Sequence, residues 1–222
     1  MRRFFLRLII QLPLLLVVLW LLLLLAYALP IFKPPSTLML AGWLSGESVQ
    51  REWLPLEHMS TALIRGAIAA EDARFCEHGG VDWSALRSVA EEALEGERPR
   101  GASTITMQLM KNLFLWPDRS YVRKVLEVPM ALTADVLLGK RRIMELYLNV
   151  AELGEGIYGV QAGAQGHYGQ SARWLQEDDA AKLMAILPNP KRNPKALSPE
   201  VAAYARRIEA RAGHVRTDCV LP

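Results

Sequence analysis

Several things are scarce in this sequence, and each scarcity narrows the field. There are two cysteines, Cys76 and Cys219, far apart and with no C-x-x-C spacing. A structural zinc site and a thioredoxin-like redox pair are therefore unsupported, and pairing of the two thiols is left open. Net charge is slight: 26 basic against 23 acidic residues give +3, too little for bulk electrostatics to suggest nucleic acid as a partner. No Ser-x-x-Lys and no Lys-Thr-Gly occurs, so the serine acyl-enzyme motifs are missing. Runs that alternate apolar and polar residues are scarce and no internal repeat is visible, which argues for one mainly α unit.

The excess lies at the N-terminus. Arg2, Arg3 and Arg7 precede a stretch from Leu8 to Leu29 that is apolar apart from Gln11 and Pro13. About 20 residues suffice to cross a bilayer. Arginine on the leading side predicts a single-pass anchor with the N-terminus in the cytoplasm and the remainder outside. Ala26-Tyr27-Ala28 also offers the small residues of a signal-peptide cleavage site, yet the stretch exceeds the roughly 7 to 15 residues of a usual h-region, which favours a retained anchor. The expected organisation is a cytoplasmic tip and anchor over 1–30, a juxtamembrane linker over 31–45, and a catalytic domain over 46–222. Pro30, Pro34 and Pro35 make the linker stiff and non-helical at its start. Leu38, Met39, Leu40, Trp43 and Leu44 fit either a lipid-facing surface or a first core segment.

Helices are expected from Ser60 onward, with Asp82 or Ser84 as a cap for a helix through Ala85, Leu86, Val89 and Ala93. Further helices are expected over Ser103–Leu113, Ser120–Leu138, Arg141–Val150, Asp178–Ile186 and Val201–Ala212, with a kink at Pro129. Glu95 to Gly101 reads as a loop.

Four stretches carry candidate chemistry. In Glu71-Asp72-Ala73-Arg74-Phe75-Cys76-Glu77-His78, helical spacing would put Glu71, Phe75 and His78 on one face. An aromatic wall desolvates a carboxylate and raises its pKa toward that of a general base, although acidic pairs more often sit on solvated faces. In Gly101-Ala102-Ser103-Thr104-Ile105-Thr106-Met107-Gln108, the hydroxyls suit a helix N-terminus, which attracts anions. Lys111 two turns on would add a point charge to a phosphate there; an ordinary capped helix is the plainer reading. Arg123, Lys124 and Glu127 have the spacing of a surface salt-bridge face. Gly154, Gly156 and Gly159 match G-x-G-x-x-G, but a helical pattern rather than a strand precedes them, which excludes a dinucleotide turn.

Taken in order, these stretches resemble the family 51 glycosyltransferases, the peptidoglycan transglycosylases that polymerise lipid II, and among them the monofunctional biosynthetic enzymes of Gram-negative bacteria. Glu71 to Asp82 is similar to the first family motif and Gly101 to Asn112 to the second. Arg123-Lys124-x-x-Glu127 resembles the third, and Lys140 to Gly159, with Tyr147-Leu148-Asn149, the fourth. The likeness runs on to Leu187-Pro188-Asn189-Pro190. It departs at Met107, where the family usually has glutamine; methionine cannot make that amide's hydrogen bonds.

The resemblance implies a lysozyme-like, mainly helical domain behind one transmembrane helix in the inner membrane, working in the periplasm on cell-wall synthesis. It implies an inverting glycosyltransferase in which Glu71 is the base and Glu127 the second acid. Phe75, His78, Ser103, Thr104, Gln108, Lys111, Asn112, Arg119, Arg123 and Lys124 would meet substrate, with Lys111 and Arg119 on the pyrophosphate. The implied partners are lipid II, the growing glycan strand and the membrane, with a transpeptidase or division proteins beside it and no nucleic acid. The one cofactor to consider is a divalent cation, Mg or Mn, near Glu127. Two rival readings remain at this point: a lytic glycosidase on a similar fold, in which Lys111 and Arg119 would be idle, and an inactive membrane-anchored scaffold. A bifunctional penicillin-binding protein is excluded by the missing acylation motifs.

Overall fold

The computed structural model describes residues 2–96, 101–118 and 120–221, with side chains described from residue 11 onward, Ala93 excepted. The N-terminal helix α1 (Arg2–Ala28) contains Gln11–Ala28, of mean hydropathy 2.4 and almost unburied, long and apolar enough to span a membrane. Residues 31–45, expected as a linker, hold a second helix, α2 (Thr37–Ser45). The prolines stop at Pro35, and Ser36 then caps α2 by accepting a hydrogen bond from Met39 N at 3.2 Å. The segment contributes to the core through one fully buried residue and leaves three others outside it. Met39 is fully buried in the main core, while Leu40, Trp43 and Leu44 are exposed.

Helix α3 (Thr61–Glu71) begins where Ser60 Oγ accepts from Leu63 N. Of the two candidate caps for α4 (Trp83–Leu94), Asp82 does the work: its Oδ1 accepts from Ser84 N and Ala85 N, both at 3.0 Å. The expected helices at 103–113, 178–186 and 201–212 appear as α5 (Ile105–Phe114), α8 (Glu177–Ala185) and α9 (Pro199–Ala212). The two helices expected either side of residue 139 both form, running over Tyr121–Val150 (together α6) and separated by a non-helical Gly139 (φ 71°, ψ 160°). The break is thus at the glycine, which tolerates that backbone, and Pro129 sits within helical dihedrals.

The remaining glycine-rich stretch folds as a small hairpin, β2 (Glu152–Gly154) and β3 (Ile157–Tyr158), followed by α7 (Val160–Tyr168). With β1 (Gln50–Arg51) it makes a three-stranded sheet ordered β1-β3-β2, in which β1 is parallel to β3 with Gln50 opposite Ile157. Gly156 has φ 71°, and a Cβ there would lie 2.2 Å from Ser48 O, so it is a turn glycine and not part of a nucleotide loop.

Packing follows the apolar faces. Helix α5 lies along α6, α3 is held between α8 and α9, and α1 rests on α6. Leu63, Ile68, Leu109, Met110, Ile143 and Leu146 are among the fully buried residues of the main core. The C-terminal tail returns to this body: Cys219 is disulfide-bonded to Cys76 with 5.5 Å between their Cα atoms, and Val220, fully buried, accepts a hydrogen bond from Arg141.

Candidate active site

Glu71 is the last residue of α3, where the chain leaves the helix through Asp72. Asp72 is buried and ties three pieces together: its Oδ1 meets His78 Nε2 at 2.9 Å, and its Oδ2 accepts from Ile105 N, the start of α5, at 3.1 Å. The ends of α3 and α5 are thereby fixed against each other. Because α3 stops at Glu71, the helical spacing expected to align Glu71, Phe75 and His78 does not exist. Phe75 is fully buried with Lys140 Nζ 4.4 Å from its ring centre, and the side chain of His78 is buried against Asp72.

Gly80 explains why the following turn is so close to α6. It has φ +80°, and a Cβ on it would lie 2.4 Å from Ala131 O. Its carbonyl accepts from Thr104 Oγ1 at 2.6 Å, and the same Oγ1 accepts from Met107 N as the cap of α5. The Thr104 hydroxyl is therefore already engaged on both sides. Met107 is fully buried with Val81 and Ala131, so an apolar side chain fits there and makes no contact with a cleft.

One turn along α5, Gln108 Nε2 donates to Glu71 Oε2 at 2.7 Å, and Gln108 Oε1 accepts from Tyr147 OH at 3.1 Å. Tyr147 thus decides which end of the amide faces the carboxylate. Burial raises the pKa of Glu71, against the bond from Gln108 and the charge of Lys111, while Asp72 raises it further. Burial also lowers the pKa of Lys111; Glu127 and Glu71 act against that, and Arg123 and Lys124 with it. Lys111 therefore senses both acids and both cations.

Arg123, Lys124 and Glu127, expected as a surface face, instead form two bridges on a buried carboxylate, with Lys124 itself partly exposed. Glu127 is 2% exposed, with Arg123 Nη1 on one oxygen and Lys124 Nζ at 3.0 Å on the other. Lys124 also donates to Ser103 Oγ, linking α6 to the segment before α5, and Arg123 Nε donates to Asp118 O at 2.8 Å. Among the described residues no three metal-ligating side chains converge. Both Glu127 oxygens face cations, so the residues there do not fit a divalent ion. Arg119 lies outside the described residues.

Gln108, Lys111, Asn112, Tyr147 and Glu152 line a cavity of about 180 Å³. Tyr147 and Glu152 were not anticipated as site residues. Their approach is made by the long-range packing of α5 on α6 and by the hairpin; the fourth motif contains Tyr147 but does not show that it meets Gln108. Burial raises the pKa of Glu152, while a hydrogen bond from the Gly156 backbone opposes that.

A desolvated carboxylate hydrogen-bonded by an amide, with a lysine close enough to act on it, has the chemistry required of an acid–base site. Comparison with known proteins gives the particular family. Residues 39–215 match the model of the Transglycosylase family, and the chain belongs to that family. It is 49% identical to the biosynthetic peptidoglycan transglycosylase of Brucella suis biovar 1 (strain 1330), over 86% of this chain and 85% of the relative. It is 51% identical to the protein of that name from Rhodopseudomonas palustris (strain TIE-1), over 81% and 77%. For the one from Agrobacterium fabrum (strain C58) the identity is 47%, over 88% of each.

Proposed function

We propose that the chain polymerises lipid II into β-1,4-linked glycan strands in bacterial cell-wall synthesis, with Glu71 as the base. Glu71 takes the proton from the 4-hydroxyl of the acceptor N-acetylglucosamine. That oxygen forms the new bond to the anomeric carbon of the donor strand. The bond from that carbon to the pyrophosphate oxygen breaks, and its electron pair leaves on undecaprenyl pyrophosphate. In-line displacement turns the α-linked donor into a β bond, hence inversion.

The observation that carries this reading is Gln108 held between Tyr147 and Glu71 one helical turn from Lys111. A general base must keep a raised but accessible pKa, and the burial of Glu71 with an amide donor and one cation supplies that balance. The leaving pyrophosphate gathers negative charge, so Lys111, Arg123 and Lys124 would stabilise it, with Arg119 joining them by its match to the family motif. Glu127 holds Arg123 and Lys124 in place. Ser103 and Asn112 would border the donor. A hydrolase has no use for such a cation row.

The proposed setting is the cytoplasmic membrane, with the N-terminus in the cytoplasm and the domain in the periplasm, where a tethered cleft sees its lipid-bound substrate at high effective concentration. Crosslinking would fall to a separate transpeptidase. The test is incubation with lipid II. Long glycan strands, with one polyprenyl pyrophosphate released per bond formed, support the proposal; fragments cut from purified cell wall without any polymer would sink it.

A further inference from the structure

The segment that leaves α1 is gripped by side chains from the catalytic body. Arg142, on the second half of α6 and 7% exposed, donates from Nε to Tyr27 O at 2.8 Å, and from Nη2 to Leu29 O at 3.1 Å and Phe32 O at 2.6 Å. Arg51, on β1, takes the next two carbonyls, Lys33 O at 3.1 Å and Pro34 O at 2.6 Å. Both guanidinium groups lie 5.6 Å from the centre of the Trp53 ring. The indole of Trp53 donates to Glu145 Oε1 at 3.2 Å, and Glu145 in turn pairs with Arg142 at 3.1 Å.

Tyr27 O is one of the carbonyls a helix end leaves without a partner, where a cation also meets the negative end of the helix dipole, and the other four belong to the turn and extended chain that follow α1. A free linker would give them to water. Here a nearly buried arginine is spent on them, and a buried guanidinium is costly unless its donors are used. A second grip lies further along α1, where Phe114 at the end of α5 stacks on Tyr27 (centroids 5.8 Å apart) and meets Trp20 edge-on at 6.3 Å. Since α5 also carries Gln108 and Lys111, anchor and cleft share one rigid element.

We infer that Arg142 and Arg51, braced by Trp53 and Glu145, form a clamp that fixes the tilt and height of the cleft above the bilayer, making both arginines positioning residues for a membrane-bound substrate. They touch no reacting atom; they act through α1. This inference rests on the reading that the substrate is lipid-linked, but not on the role of Glu71.

The test uses the full chain and the variants R142Q and R51Q/R142Q, each assayed on two substrates: lipid II in vesicles of phosphatidylglycerol and cardiolipin, and a short-chain lipid II analogue in detergent. The short-chain rate reports the cleft alone. The variants are expected to lose about tenfold or more on vesicles, because small misplacements are costly, while staying within about twofold on the short-chain substrate. Equal losses on both substrates, or no loss on vesicles, overturn the clamp. Failure of the unsubstituted enzyme on both substrates would instead strike the functional reading. Should R142Q not fold, spin labels at Leu25→Cys and Ser88→Cys in the otherwise unaltered chain decide the matter. A single narrow distance distribution in vesicles is expected, and a broad one overturns the inference.

Discussion

Gln108 is the residue on which the candidate site turns, because it is the only side chain among the described residues shown donating a hydrogen bond to Glu71. The protonation of Glu71 also responds to Lys111 and Asp72, and Tyr147 and Tyr204 lie close enough to feel its charge. A base works only when deprotonated, so activity falls as pH drops through the Glu71 pKa. The bond from Gln108 lowers that pKa. Gln108→Leu should therefore move the acid limb of the kcat profile to higher pH, and a limb that stays put would show that the amide does not tune the acid. Lys111→Met should lower kcat by on the order of 10²-fold with less effect on KM, as expected for a charge used mainly on the leaving group; a change in KM alone would contradict that use. At this scale the sequence was informative through its motif spelling. It placed Glu71, Gln108 and Lys111 on the right elements, but the shared face for Glu71, Phe75 and His78 requires helical spacing that the chain after Glu71 does not have.

Among the elements, α5 links the core to the site. Its start is fixed by Asp72 and capped by Thr104, whose hydroxyl also reaches Gly80. Thr104→Ala should cost about 1–2 kcal/mol in chemical denaturation, since a cap and a buried hydrogen bond are lost together, whereas Thr104→Ser should recover most of it. If the alanine variant unfolds at the wild-type midpoint, the cap contributes nothing. Helix positions were legible from apolar spacing, from Asp82 or Ser84 as a cap, and from the hydroxyl run at 103–106 as a helix N-terminus. So was the break in α6: the separate helices expected up to Leu138 and from Arg141 meet at Gly139, whose backbone is not helical. Helix α2 was hidden by the prolines just before it.

For the molecule as a whole, the Cys76–Cys219 disulfide closes a loop across 143 residues and pins the tail to the turn after Glu71. Chain-entropy reasoning puts its worth at about 5 kcal/mol as an upper figure, so reductant should lower the melting temperature substantially; an unchanged melt would show that the tail is held by packing alone. No spacing rule could have paired two cysteines so far apart, and the fold alone brings them together. The long apolar helix at the N-terminus, by contrast, was plain from composition. The account stands most directly on Glu71→Gln in the full chain, assayed for glycan strands from lipid II alongside a thermal melt. Loss of polymerisation with a melting temperature at or above that of the wild type is expected, since a buried carboxylate has been replaced by a neutral amide of the same shape. Polymerisation at the wild-type rate in a folded Glu71→Gln protein would contradict it.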